Sequence, residues 1–132
     1  MNRSRHLAIV SSLLLLLTGC GITVANQRLL LPQDLVDNKY ETVRTIIIEE
    51  AANNGFGTPA SEIKPSKYND YKGRVYFKLT TGMGTDQLTV ELEPKGGKVS
   101  VYIHGAGTKG NADGAVKAIT ARLEQLGGTV AR

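Results

Sequence analysis

Three stretches in the second half of the chain alternate apolar and polar residues with period two. Val75, Phe77 and Leu79 alternate with Arg74, Tyr76, Lys78 and Thr80. Leu88, Val90 and Leu92 alternate with Gln87, Thr89, Glu91 and Glu93. Val99, Val101 and Ile103 alternate with Ser100, Tyr102 and His104. Successive side chains of a strand point to opposite sides, so this pattern predicts three strands that each bury one face. Gly82-Met83-Gly84-Thr85 and Pro94-Lys95-Gly96-Gly97 supply turn chemistry between them. Four-residue loops at both places predict that Leu79 faces Leu88, Phe77 faces Val90 and Val75 faces Leu92. In the second hairpin they set Leu92 opposite Val99, Val90 opposite Val101 and Leu88 opposite Ile103.

A helical period flanks this meander. Val36, Tyr40, Val43, Ile47 and Ala51 fall on one helix face with Ile46 beside it, and Ile48 fits that face poorly. Asn38 followed by Glu41 has the form of a capping box, and Gly55 after Asn53-Asn54 is a stop signal. A second stripe, Val116, Ile119, Leu123 and Leu126, predicts a helix over 112–126, opened by Asn111 with Asp113 near its positive end and closed by Gly127-Gly128. Residues 56–72, with Pro59 and Pro65, read as a long connection in which 56–63 is a candidate short strand. Residues 21–37 show no helical period and read as a tether that, fully extended, reaches about 50–60 Å. Within it, Leu29-Leu30-Leu31 is too apolar for a free linker and is expected to pack on the domain as an edge strand ended by Pro32. The expected fold class is α+β: a two-layer sandwich of helix, three-stranded antiparallel meander and helix, with both helices on one sheet face.

The N-terminus carries a different signal. Arg3 and Arg5 precede an apolar run over residues 7–17. That run is too short to cross a hydrocarbon core of about 30 Å, which needs about 20 helical residues, and with its basic flank it suits the apolar region of a secretory signal. It ends in Leu17-Thr18-Gly19-Cys20. This tetrad resembles the lipobox of bacterial lipoproteins: an aliphatic residue, a small residue, Gly or Ala, then Cys. The resemblance implies a diacylglyceryl group on the Cys20 sulfur, cleavage before Cys20, and acylation of the new amino group. Two or more chains, at about 0.8 kcal/mol per buried CH₂, anchor a protein firmly. Gly21 stands where Asp commonly retains lipoproteins of diderm bacteria in the inner membrane, so the resemblance further implies the outer membrane, facing the periplasm. The expected organisation is a cleaved signal over 1–19, a lipidated N-terminus and tether over 20–37, one α+β domain over 38–128, and a tail over 129–132.

Composition narrows the chemistry. The formal net charge of the 132-residue chain is +4. Arg3 and Arg5 lie in the segment expected to be removed, which leaves 14 basic residues against 12 acidic ones. So small a balance points to no nucleic-acid partner. The one cysteine excludes an intramolecular disulfide, and acylation would account for its thiol. Gly105-Ala106-Gly107-Thr108-Lys109-Gly110 spells G-x-G-x-x-G between a strand and a helix. A dinucleotide fold also needs a parallel strand after that helix, with an acidic residue about 20 positions on, and a phosphate loop needs Ser or Thr after Gly-Lys; neither is present, so the motif reads as a turn. His104 is the one histidine outside the signal segment. Ser100 lies four residues from it along a strand, about 13 Å, too far for nucleophile and base. Glu91 and Glu93, about 7 Å apart on one face, read as cross-strand partners rather than a catalytic pair. No metal site, no cofactor and no enzymatic activity are expected.

Two surfaces remain as interaction candidates. One is the outward sheet face, with Arg74, Tyr76, Lys78, Gln87, Thr89, Glu91, Tyr102 and His104, whose tyrosines amid mixed charges suit a binding surface. The other is the loop 64–72, where Lys67, Tyr68 and Tyr71 could meet anionic headgroups or glycans. The helix ending in Asn54-Gly55-Phe56, the meander and the closing helix 112–126 give the domain a shape similar to small lipoprotein domains of unknown function. That shape also resembles the helix-grip domains of the C lipoprotein of the outer-membrane barrel-assembly machinery. No functional residue is carried over from either. The expected function is that of a membrane-anchored accessory or interaction protein of the cell envelope, held through Cys20 and presenting its domain to a protein partner. The alternative is a binder of an envelope glycan, lipid or other small ligand, with a concave apolar pocket between helices and sheet.

Overall fold

The computed structural model describes residues 21–66, 71–82 and 84–131. The chain runs β1 (Thr23–Pro32), α1 (Gln33–Asn53), β2 (Ser61–Ile63), β3 (Gly73–Thr81), β4 (Gly84–Lys95), β5 (Lys98–Gly107), α2 (Asn111–Gln125) and β6 (Thr129–Val130). The strands form one antiparallel sheet in the order β2-β3-β4-β5-β1-β6. Both helices pack on one face of it and against each other.

This corrects the expected helix, three-stranded meander and helix. The meander is β3–β5, but the sheet has six strands. The largest addition is β1, which pairs with β5 over all ten of its residues, Leu29 opposite Val101 and Leu31 opposite Val99. Leu29 and Leu31 are fully buried against the helices, while Leu30 lies on the other face and is half-buried. A leucine on each side of the sheet hides the alternation that marks the other strands. Residues 129–130, expected in a tail, form β6 beside Leu29 and Leu30. Ser61–Ile63 lines the far edge against β3. These two strands are too short to show a period.

The register also differs, by two residues in each hairpin. Phe77 faces Leu88 and Val75 faces Val90. Val90 in turn faces Ile103, and Leu92 faces Val101. The cause is tighter turns. Lys95 pairs with Lys98 around Gly96-Gly97, whose φ values of +57° and +79° are those of a two-residue turn matched to strand twist. A shift of two keeps every side chain on its face, so the buried set is unchanged while its partners move. The shift also sets Asp86 opposite Leu79, on the buried side.

Helix α1 begins at Gln33, five residues before the Asn38 cap expected from sequence, with Pro32 at its N-cap. Its regular geometry is interrupted at Lys39 (φ −132°, ψ 37°), so a short helical segment precedes the long one. Val36, Val43, Ile46, Ile47 and Ala51 are buried, as are Ala112, Ala115, Val116, Ile119 and Leu123 of α2. Phe56, just past α1, is 2% exposed and meets Phe77 edge to face at 6.1 Å.

The G-x-G-x-x-G stretch has a packing role. A Cβ at Gly105 would stand 2.9 Å from the Ala112 Cβ, and one at Gly107 would overlap the Asp86 carboxylate. Asp86 is 3% exposed, and its Oδ1 accepts the Thr108 N–H at 3.1 Å. The first two glycines therefore let α2 and Asp86 close on β5, while the space around Gly110 is open. Gly107→Ala is expected to cost roughly 1–3 kcal/mol of stability through overpacking, and Gly110→Ala to change it little. Thermal unfolding followed by circular dichroism checks this; equal Tm values for the two variants would contradict the packing role.

Candidate interaction face

The sheet face away from the helices is built by the alternate residues of β1, β3, β4 and β5. The register sets them in rows across the strands. One row runs Arg28, Tyr102, Glu91, Arg74. The next, two residues along each strand, runs Asn26, His104, Thr89, Tyr76. A third runs Val24, Ala106, Gln87, Lys78. Arg74, Tyr76, Lys78, Thr89, Glu91, Tyr102 and His104, named from sequence, thus share one surface. Arg74 and Lys78 are exposed, and the other five are half-buried.

Sequence reading missed Arg28, because the expected edge strand covered only Leu29-Leu30-Leu31 and the residues before it read as tether. Its guanidinium carbon lies 4.3 Å from the centre of the Tyr102 ring. Tyr102 in turn stacks on His104, with ring centres 5.8 Å apart and planes 25° apart. The Tyr102 hydroxyl stands 3.4 Å from His104 Nδ1, a long polar contact. Arg28, Tyr102 and His104 therefore form a layered stack. A guanidinium over a ring face is attracted by the ring's negative face, and contacts of this kind contribute about 0.5–1 kcal/mol at exposed sites. The charges named on this face, Arg28, Arg74 and Lys78 against Glu91, are mixed with a positive excess.

Of the loop candidates, Tyr71 alone falls among the described residues. Lys67 and Tyr68 lie outside the described residues, as does Cys20. Tyr71 packs partly against the core, and its hydroxyl donates to the Asp37 carboxylate of α1. Between helices and sheet the side chains of Val43, Ile47, Phe77, Val90, Ile103 and Ile119 are fully buried, and an open groove lies between β1 and α2, lined by Val24, Gln27, Val116 and Thr120.

A second polar cluster was not legible in the sequence. Arg44 of α1 reaches Glu62 of β2 through two hydrogen bonds, Nε to Oε1 at 2.6 Å and a terminal nitrogen to Oε2 at 3.0 Å. The Tyr40 hydroxyl donates to Glu62 Oε1 at 3.3 Å. The Arg44 hydrogen bonds hold the Glu62 carboxyl below its usual range. Burial beside Glu62 pushes the Tyr40 hydroxyl up. On α2, Arg122 bonds to Glu49 at 2.6 Å and to Glu50 at 3.2 Å, tying the two helices together. These contacts join elements distant in sequence, and their geometry is that of structural pins.

No protein-family model matches the chain, and no curated protein matches it.

Glu62 has a pH signature. Its pKa is lower folded than unfolded, so its contribution is complete above the ordinary carboxylate value and is lost as pH falls through the folded value. Glu62→Gln should lower stability at neutral pH by about 1 kcal/mol, allowing for partial solvent screening. The gap to the unaltered protein should close in acid, below about pH 4. Urea unfolding at a series of pH values measures it, and a gap independent of pH would rule out the carboxylate as the source.

Proposed function

We propose that this chain is a membrane-anchored lipoprotein of the bacterial envelope that works as a non-enzymatic accessory protein. Its anchor is Cys20, its location the outer membrane facing the periplasm, and its working surface the outward sheet face, which receives a protein partner. The anchor is supported by Leu17-Thr18-Gly19-Cys20 behind a basic and apolar leader. The working surface is supported above all by the Arg28–Tyr102–His104 stack, with Tyr76, Arg74 and Glu91 in adjoining positions. Aromatic and arginine side chains held in place by their neighbours lose little conformational freedom on binding, and they are the residue types that dominate protein interfaces.

Two measurements test this reading. Cys20→Ser should abolish metabolic labelling with fatty acid and release the protein from membranes; persistent labelling would refute the anchor. Photo-crosslinking in living cells from positions 76 and 102 should yield one recurrent protein adduct. That adduct should disappear in an Arg28→Ala variant whose Tm stays within a few degrees of the unaltered protein. Adducts with glycan or lipid alone would transfer the face to ligand binding, and an adduct insensitive to Arg28→Ala would remove the stack from the interface.

A further inference from the structure

Only Gly21 and Ile22 separate Cys20 from Thr23, the first residue of β1. At about 3.4 Å per extended residue, the Thr23 Cα lies no more than about 10 Å from that of Cys20. The tether expected over residues 21–37 is taken up by β1 and the start of α1. A lipid on Cys20 would therefore hold one particular end of the domain against the bilayer.

The pairing shows what shares that end. Thr23 lies opposite Gly107, and Thr81 pairs with Gly84. Asn111 opens α2 and donates from Nδ2 to the Asn54 carbonyl at 2.7 Å, bringing in the close of α1. The chemistry at this end is distinctive. Ile22 and Val24 are 67% and 57% exposed, two of the three exposed large hydrophobic residues among the described ones. Segments 21–28, 53–60, 78–85 and 104–112 carry Arg28, Lys78 and Lys109 and no Asp or Glu. Of the acids that follow, Asp86 is buried, and Asp113 is balanced by Lys117 in a surface ion pair at 3.0 Å. Asp34, Asp37, Glu93 and Glu124 lie toward the other end, near Pro32, the β4–β5 turn and the close of α2.

We infer that this end is a bilayer-docking surface. Ile22 and Val24 enter the interfacial region, and Lys78 and Lys109 meet anionic headgroups. The inference rests on acylation of Cys20, the anchor proposed above. Apolar insertion and attraction to anionic lipid act together at such surfaces, and a lysine near a charged leaflet strengthens binding about fivefold.

The test uses the full lipidated protein in vesicles of phosphatidylethanolamine and phosphatidylglycerol. With Cys20 acylated, a single added cysteine is the only free thiol. Val24→Cys, Lys109→Cys and, at the other end, Lys95→Cys each carry an environment-sensitive fluorophore, and a nitroxide on the lipid headgroup serves as quencher. The expected result is strong quenching at 24 and 109 and none at 95. Lys78→Glu combined with Lys109→Glu should weaken quenching at 24 when phosphatidylglycerol is present. Equal quenching at all three positions, or none, would overturn the docking surface. So would a shielded but unquenched label at 24, which would assign this edge to a protein strand. The mass of the N-terminal peptide separates the two ideas. An acylated peptide without quenching sinks the seating alone, and an unmodified Cys20 sinks the anchor and the seating together.

Discussion

Strand β5 is hydrogen-bonded along its length on both sides, to β4 and to β1, and it carries the middle of the buried face. Val101 stands between Leu92 and Leu29, and all three are fully buried. Both helices lean on this strand. The rest of the fold follows from the need to cover that face without leaving backbone groups unpaired. Two helices of 21 and 15 residues cover it. Helix α2 comes close where β5 has no side chain in the way, at Gly105 facing Ala112 and Val116, while Gly107 makes room for Asp86 of β4. The same constraint explains the small residues of α2: Ala112 and Ala115 are buried where a larger side chain would push the helix off the sheet.

Asp86 shows how a polar group is accommodated in this setting. Its neighbours along the strand on that face are apolar, and it lies opposite Leu79. Burying a carboxylate is costly unless hydrogen bonds stabilise it. Here the Thr108 N–H supplies one, and α2 begins three residues later, with its positive end at the same corner of the domain. The carboxylate thereby pins the connection between the last long strand and the second helix. In text that connection looks like a nucleotide-binding loop. In space Gly105 makes room for Ala112, Gly107 for the aspartate, and the space around Gly110 is open.

What the sequence disclosed followed physical rules of different reach. Period-two alternation marked β3, β4 and β5 because each buries one face and wets the other. It marked the right faces but the wrong partners, since face depends on local geometry and register depends on the turn. Gly96 and Gly97 both adopt positive φ in a two-residue turn, where a longer loop was assumed. Of β1 only Leu29-Leu30-Leu31 was expected as a strand, with Leu30 on the outer face beside Ser100 breaking the alternation, and its first half, read as tether, stayed hidden. Arg28 went unseen with it, although Tyr102 and His104, on which its stack depends, were on the page. The Arg44–Glu62 pair spans 18 residues and the Arg122–Glu49 pair 73, and no local pattern announces contacts of that kind.

A short leash and a rigid face have a joint consequence. Along a strand, equivalent rows are two residues apart, or about 6.7 Å. If the start of β1 sits at the bilayer surface, the row Asn26, His104, Thr89, Tyr76 lies one step beyond that of Val24, Ala106, Gln87 and Lys78, and the Arg28–Tyr102 row one step beyond that. The face then looks sideways, parallel to the membrane, within about 20 Å of it. A domain on a long tether must search a large volume and give up that freedom when it binds, whereas one seated on the surface has already lost it. Such an arrangement favours a partner that is itself held at the same membrane. If Cys20 carries the anchor, the short link to β1 and the place of the stack on the sheet interior act together to hold that face near the membrane.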